Sequence, residues 1–196
     1  KDVQNQVIGN YILAATTRSR ILSIDVTSPS GTAASQVGTI PQEQLPITIN
    51  ASSCTSGTTT CNVAGATLSA INLAGTTLNF SVKNPALGGK TGLGVLGKAP
   101  GEIATDETVN VQFLGNDPYK VSSIQIVYLF NGPEYGDKAE IAQVKADGTA
   151  YTLSVKNDVN DADAIWSGPG TVTKCGAAIS GGAGCFLISN PFPAPV

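Results

Sequence analysis

The sequence predicts an all-β protein, an antiparallel β-sandwich of jelly-roll or immunoglobulin type with an extended N-terminal segment. Three observations predict this fold. Apolar and polar residues alternate in short runs rich in β-branched side chains. Turn sequences such as Asn-Gly-Pro and Ala-Asp-Gly-Thr separate the runs. No helical crossover pattern lies between them, and 196 residues suffice for one domain with a sizeable core.

Each predicted strand is a run of alternating or β-branched residues that ends where Gly, Pro, Asn or Asp cluster. In chain order the predicted strands are residues 7–16, 20–27, 45–50, 66–73, 76–82, 108–114, 121–130, 138–144, 150–155, 170–174 and 185–188. The single tryptophan, Trp166, is assigned to a further short strand, as a core residue rather than a platform for a ligand. Residues 84–101 are rich in glycine and are interpreted as one long loop.

On this interpretation the chain has three parts. Residues 1–19 form an N-terminal extension, residues 20–189 form one sandwich domain, and residues 190–196 form a tail. The tail contains three prolines in seven residues. Because proline has no amide hydrogen to donate, we expect the tail to run as an extended segment or along a sheet edge.

Charge is low and unevenly distributed. The net charge is −3 and there is no basic run, which argues against a nucleic-acid partner. Between Val26 and Val82 the only charged residue is Glu43, so this part offers a neutral surface rich in Thr, Ser, Ala and Gly. Such a surface suits packing against other protein or a coat of glycan, and Asn50 and Asn79 begin two acceptor sequons. A plain neutral sheet face is an equally good interpretation.

The cysteines indicate an oxidising compartment. Cys54 and Cys61 form one close pair in the sequence, and Cys175 and Cys185 form another. Four cysteines allow three pairings, of which the sequential one closes the shortest loops and is favoured. A zinc site needs narrower spacings than these. The chain begins at Lys1 and contains no methionine, which favours a secreted protein without its signal peptide. We expect an extracellular protein at the cell surface, with no membrane span.

Motifs that resemble catalytic or nucleotide sites are weak. The absence of histidine excludes Ser–His and Cys–His nucleophile pairs and most histidine-ligated metal centres. The enzyme chemistry that remains is cleavage of a glycosidic bond by two carboxylates, but the sequence marks no particular pair of acidic residues. The sequence at Gly92, Gly94 and Gly97 matches a dinucleotide fingerprint, yet proline and glycine follow where a helix is required. We therefore predict that the protein is not an enzyme.

Acidic segments in the second half are candidate calcium sites. Hard calcium ions take six to eight oxygen ligands, and closely spaced Asp and Asn side chains supply them. The candidate ligands are Asp158, Asn160, Asp161 and Asp163, with Glu134, Asp137 and Glu140 as a second set and Glu102, Asp106 and Asp117 as further donors. Their spacing does not match an EF-hand. Solvated acidic turns in a chain of low pI explain the same residues without a metal.

The segment from Val7 to Val26 is the most aliphatic part of the first fifty residues, and it reads as two extended pieces. Apolar residues occur on both faces of the first piece. The candidate donor-strand residues are Val7, Ile8, Tyr11, Ile12 and Leu13. Either the chain's own sheets cover this segment, or it adds as a strand to a sheet of a neighbouring copy. A head-to-tail contact of the second kind builds an open polymer.

In whole-chain character the sequence resembles extracellular subunits that assemble by donor-strand complementation, and it is similar to the cannula-type tube proteins of hyperthermophilic archaea. The features that carry the resemblance are the aliphatic N-terminal extension, the low charge, and the abundance of Thr, Ser, Ala and Gly. The resemblance implies secreted β-sandwich subunits that form hollow extracellular tubes with the help of calcium. It rests on no residue-level motif.

These observations lead to two hypotheses of function. The first is a secreted structural protein that polymerises with copies of itself into a filament or tube by N-terminal strand donation, assisted by calcium. The alternative is a monomeric, calcium-dependent surface adhesin or carbohydrate-binding module.

Overall fold

The computed structural model describes residues 7–15, 20–27, 47–63, 65–83, 91–98, 101–114, 118–130, 140–155, 163–175 and 183–196. Within these residues the chain forms β-strands and one short 3-10 turn at Ala51–Ser53. The strands are β1 (Val7–Ala15), β2 (Arg20–Thr27), β3 (Ile47–Asn50), β4 (Thr60–Val63), β5 (Ala66–Asn72), β6 (Thr77–Leu78), β7 (Phe80–Lys83), β8 (Gly92–Val95), β9 (Glu107–Leu114), β10 (Lys120–Phe130), β11 (Ile141–Ala146), β12 (Thr149–Val155), β13 (Ala164–Trp166), β14 (Thr171–Lys174) and β15 (Ala183–Ser189).

The strands form two antiparallel sheets. The first sheet has the order β13-β12-β11-β1-β9-β5-β4, with β6 beside β5. The second sheet has the order β14-β15-β10-β2-β8-β7, with β3 beside β2. The chain crosses from one sheet to the other between β1 and β2, so the first two strands occupy inner positions in different sheets.

One hydrophobic core lies between the sheets. Strand β9 shows the expected alternation, with Val109 and Val111 fully buried and the residues between them half-buried. Ile124 of β10 and Ile188 of β15 contribute to the same core from the second sheet. Two antiparallel sheets that share one core make a β-sandwich, and the predicted fold class is confirmed.

The predicted loop at residues 84–101 is wrong for its central part, because Gly92–Val95 form the buried strand β8 between β2 and β7. Glycine suits this place because the backbone of Gly101 and Glu102 packs directly against Gly94, where a Cβ atom would collide. The predicted strand at 76–82 is divided into β6 and β7, and strand β4 was not predicted. A glycine-rich strand such as β8 cannot be recognised from alternating apolar residues, because glycine has no side chain. Its burial depends on which backbone packs against it.

The tail from residue 190 onward packs on the sandwich. Phe192 and Val196 are both buried. The backbone N–H of Val196 donates to the carbonyl of Tyr119 at 2.9 Å, and the N–H of Tyr119 donates to the carbonyl of Val196 at 2.8 Å.

Trp166 is half-buried against the core. Its ring centroid is 5.7 Å from that of Tyr151, and its Nε1–H donates to the carbonyl of Pro169.

Candidate assembly site

Strand β1 fills the middle of the first sheet. It pairs with β9 on one side and with β11 on the other, antiparallel in both cases. The pairing with β9 runs from Val7 opposite Leu114 to Ala14 opposite Thr108, with a register shift between Val7 and Asn10. Without β1, the first sheet would be divided into two parts, one ending at β9 and the other at β11.

All predicted donor-strand residues lie on this strand. They are Val7, Ile8, Tyr11, Ile12 and Leu13. Tyr11 is opposite Val111, and Leu13 is opposite Val109 of β9 and Val144 of β11. These three valines are at most 1% exposed. In this structure, therefore, β1 belongs to its own chain's sheet and lies beside strands whose alternate side chains face the core.

A short connection joins β1 to the rest of the sandwich. Ala15 ends β1 in the first sheet, and Arg20 begins β2 in the second. The four residues between them, 16–19, lie outside the described residues. Five peptide steps reach at most about 18 Å, and packed sheets are about 10 Å apart. The connection is thus long enough to link the two sheets.

Strand β7, at the end of the second sheet, is covered by residues 54–61, which we call the edge loop. Within it the N–H of Gly57 donates to the carbonyl of Phe80 at 2.8 Å, and the N–H of Phe80 donates to the carbonyl of Thr58 at 2.7 Å. The Oγ of Ser56 accepts from the N–H of Val82 at 2.8 Å. The edge loop therefore satisfies backbone groups of β7 that could otherwise pair with another chain.

Both predicted disulfides are present. Cys54 is bonded to Cys61 and closes the edge loop, and Cys175 is bonded to Cys185. Next to the second bond, the N–H of Cys175 donates to the carbonyl of Cys185 at 2.9 Å. Each bond thus fixes the course of the chain beside an outer strand of the sandwich, β4 in the first case and β14 in the second.

The candidate calcium ligands are mostly outside the described part of the chain. Asp158, Asn160, Asp161, Glu134 and Asp137 lie there. Asp163 is described, and its Oδ1 is 3.0 Å from Nζ of Lys174 in an ion pair that is partly exposed. Among the described residues, no three Cys, Asp or Glu side chains are grouped as a metal site.

A buried carboxylate organises the turn before β9. Glu107 is 2% exposed, its Oε1 accepts the N–H of Lys98 at 2.7 Å, and its Oε2 accepts the N–H of Ala104 at 2.8 Å. A Cβ atom at Gly97 would collide with this carboxylate, which explains the third glycine of the dinucleotide-like motif. The motif therefore serves packing, since β8 carries its first two glycines and no helix follows it in the described residues.

The structural role of Glu107 was not predicted, because its one mark in the sequence is that an acidic residue follows a glycine-rich turn. At the same turn, Nζ of Lys98 is 2.8 Å from Oδ2 of Asp106. The hydrogen bond that Lys98 donates to Asp106, together with the negative charge of Asp106, raises the pKa of the Lys98 ammonium above its ordinary value. Both side chains are exposed, so this ion pair contributes little to stability.

The two sequon asparagines are exposed at the surface. Asn50 ends β3 and precedes the 3-10 turn, and its side chain makes no capping hydrogen bond there. Asn79 lies between β6 and β7.

No helix in the described residues has the length and apolarity needed to cross a membrane. Comparison of the chain with protein-family models, with curated proteins and with solved structures finds no match.

Proposed function

We propose that this protein is a secreted structural subunit that assembles head-to-tail into a filament or tube by donating β1 to a neighbouring copy. The observation that carries the proposal is the position of β1. It is the first strand of the described chain, it fills an inner gap of the first sheet, and it is joined to the following strand by only four residues.

Strand exchange needs no new contact surface. A β1 strand from a second copy has the same sequence, so it can pair with β9 and β11 in the same register as the chain's own β1. One form has its own β1 in the sheet, and the exchanged form has the β1 of a second copy. Their free-energy difference then lies in the connection at residues 16–19 and in the entropy of association. A hinge of only four residues is of the short kind at which strands are exchanged between copies when the closed form strains it.

The remaining features support an extracellular structural role. Two disulfides are typical of oxidising compartments outside the cytoplasm. The covered edge of β7 would limit side-by-side pairing at that end of the second sheet. Calcium is proposed to assist assembly through Asp158, Asn160, Asp161 and Asp163, on the sequence argument alone.

The first test is to follow the size of the purified protein in calcium and in chelator, by light scattering and negative-stain electron microscopy. We expect filaments or tubes in millimolar calcium and smaller species in chelator. Reciprocal exchange between two copies would instead give closed dimers. Protein that stays monomeric in calcium, even after seeding with concentrated material, would exclude assembly and favour the monomeric adhesin.

The second test separates donation from ordinary folding. A variant that lacks residues 1–19 is refolded with a synthetic peptide of residues 1–19. We expect the peptide to fill the gap in the first sheet and to yield a folded monomer that no longer polymerises, because its donor strand is not attached to it. A scrambled peptide of equal composition is the matched control. Polymers of the complemented variant would show that β1 is not the connecting element.

A further inference from the structure

Two exposed asparagines each stand at the start of an Asn-X-Ser sequence. Asn50 precedes Ala51 and Ser52, and Asn79 precedes Phe80. Asn50 has an extended backbone, with φ −101° and ψ 149°, and its side chain does not cap the turn that follows. Both asparagines are exposed to solvent, where a glycan could be attached.

We propose that Asn50 and Asn79 are acceptor sites for N-linked glycans and that these glycans cover leucine side chains which the sandwich leaves partly exposed. This inference does not depend on strand donation. The co-reactant is an oligosaccharide on a lipid diphosphate carrier. The Nδ2 atom of asparagine forms a bond to C1 of the first sugar, the C1–O bond to the diphosphate breaks, and one amide proton is released.

At Asn79 the leucine is adjacent. The backbone N–H of Leu96 donates to the carbonyl of Asn79 at 2.7 Å, so the two residues lie side by side. The side chain of Leu96 is 44% exposed. The first sugar on Asn79 can therefore place its C–H face against Leu96 and remove apolar area from water.

At Asn50 the leucine lies further along the same outer row of the second sheet. Asn50 is opposite Ser23, Ser23 is opposite Gln125, and Gln125 is opposite Leu187. Leu187 is half-buried. Three strand spacings amount to roughly 14 Å, a distance that a branched oligosaccharide spans. The glycan on Asn50 would thus lie over the outer face of the second sheet.

The structure also indicates which comes first, transfer of the glycan to the asparagine or folding of the chain around it. In both sequons the middle residue is buried, Ala51 at 4% and Phe80 at 0% exposure. The N–H and carbonyl of Phe80 are both bonded to the edge loop. A transferase must grip the asparagine and the hydroxyl residue two positions later, and Phe80 cannot be released without opening β7. Transfer to Asn79 therefore precedes folding of this edge.

The experiment uses the full chain, secreted from a host with an N-glycosylation pathway, and reads site occupancy from intact mass and glycopeptides. We expect two glycans on the wild type, one on Asn50→Gln and one on Asn79→Gln. Ser52→Ala, which keeps Asn50 but removes the sequon hydroxyl, should lose the same glycan as Asn50→Gln. Asn62→Gln is the matched control, because Asn62 is exposed and outside any sequon, and it should keep both.

Secreted wild-type protein without glycan at either site would overturn the proposal, and so would Ser52→Ala that keeps its glycan at Asn50. A separate measurement tests whether the glycans cover the leucine side chains. Enzymatic removal of the glycans from the folded protein should increase binding of a hydrophobic dye at least about two-fold. Unchanged dye binding, with the fold intact by circular dichroism, would show that the glycans do not cover the leucines.

Discussion

Strand β1 and the edge loop satisfy backbone groups of neighbouring strands in two different ways. β1 pairs with β9 and β11 in the middle of the first sheet, and it is joined to the sandwich through residues 16–19. The edge loop covers one strand, β7, at the end of the second sheet, and the Cys54–Cys61 bond holds it closed. We propose that the first cover is exchanged between copies, whereas the disulfide keeps the second within its own chain.

The difference indicates where an assembly can grow. An unpaired strand edge attracts any extended chain, so a protein that polymerises in one direction must leave only one such edge available. The disulfide-closed edge loop prevents the edge of β7 from pairing with a strand of another chain. A strand at the start of the described chain can leave a gap that only a matching strand fills.

Deleting residues 1–19 should have the largest effect. The deletion removes β1 and leaves β9 and β11 without an inner neighbour, so we expect a loss comparable to the whole folding free energy, on the order of 5 kcal/mol or more. Urea unfolding followed by the fluorescence of Trp166, the single tryptophan, measures it. A truncated chain as stable as the wild type would mean that β1 adds nothing to its own sheet.

Removing the edge-loop disulfide should cost about 2.5 kcal/mol, from the entropy of the small ring that it closes. The variant is Cys54→Ser with Cys61→Ser, and its matched control is Cys175→Ser with Cys185→Ser, which opens a ring of similar size. Both should lose similar stability, but only the first should release β7 and form side-by-side aggregates. Equal aggregation of the two variants would contradict a protective role for the edge loop.

Glu107→Gln should cost about 2 kcal/mol. The carboxylate accepts one backbone N–H at each oxygen, and an amide can replace only one of these acceptors while it turns its NH2 toward the other donor. Thermal unfolding measures the loss. The control is Gln112→Glu, a change of the reverse kind at a half-buried position of the same strand. Similar losses for both variants would mean that the buried contacts of Glu107 are not what stabilises this turn.

Ser56→Ala should have the smallest effect, about 1 kcal/mol, because it removes the one side-chain acceptor that holds Val82 of β7. Hydrogen exchange of the Val82 amide should become faster, while the amide of Phe80, which donates to a backbone carbonyl, should change little. Ser53→Ala, at an exposed serine on the neighbouring turn and outside both sequons, is the control for the substitution itself. Unchanged exchange at Val82 would mean that Ser56 does not protect the edge.

Many strands of the sandwich could be predicted, because the alternation of apolar and polar residues is visible in the sequence without knowing which strands are neighbours. Strand β9 alternates buried and half-buried residues along its whole length, and its predicted bounds differ from the observed ones by one residue. The sequential disulfides followed from short ring closure in the same local way. The division at Asn79 between β6 and β7 could not be predicted, since the residues on both sides have high β-propensity.

The candidate site was predictable in its position along the chain but not in its surroundings. The aliphatic segment at Val7 and the two extended pieces were evident from composition, whereas the neighbours β9 and β11 begin 100 and 134 residues after β1. The function of the edge loop was not predicted either, because its hydrogen bonds to β7 join residues more than twenty positions apart.

By itself, the sequence determined the fold class, the extended form of β1 and β2, and the pairing of the cysteines, since each depends on local periodicity or short spacing. Only the tertiary structure decided that β1 lies inside the first sheet, that β8 is a strand and that Glu107 is buried. These features depend on which distant backbone comes close, and no local pattern carries that information.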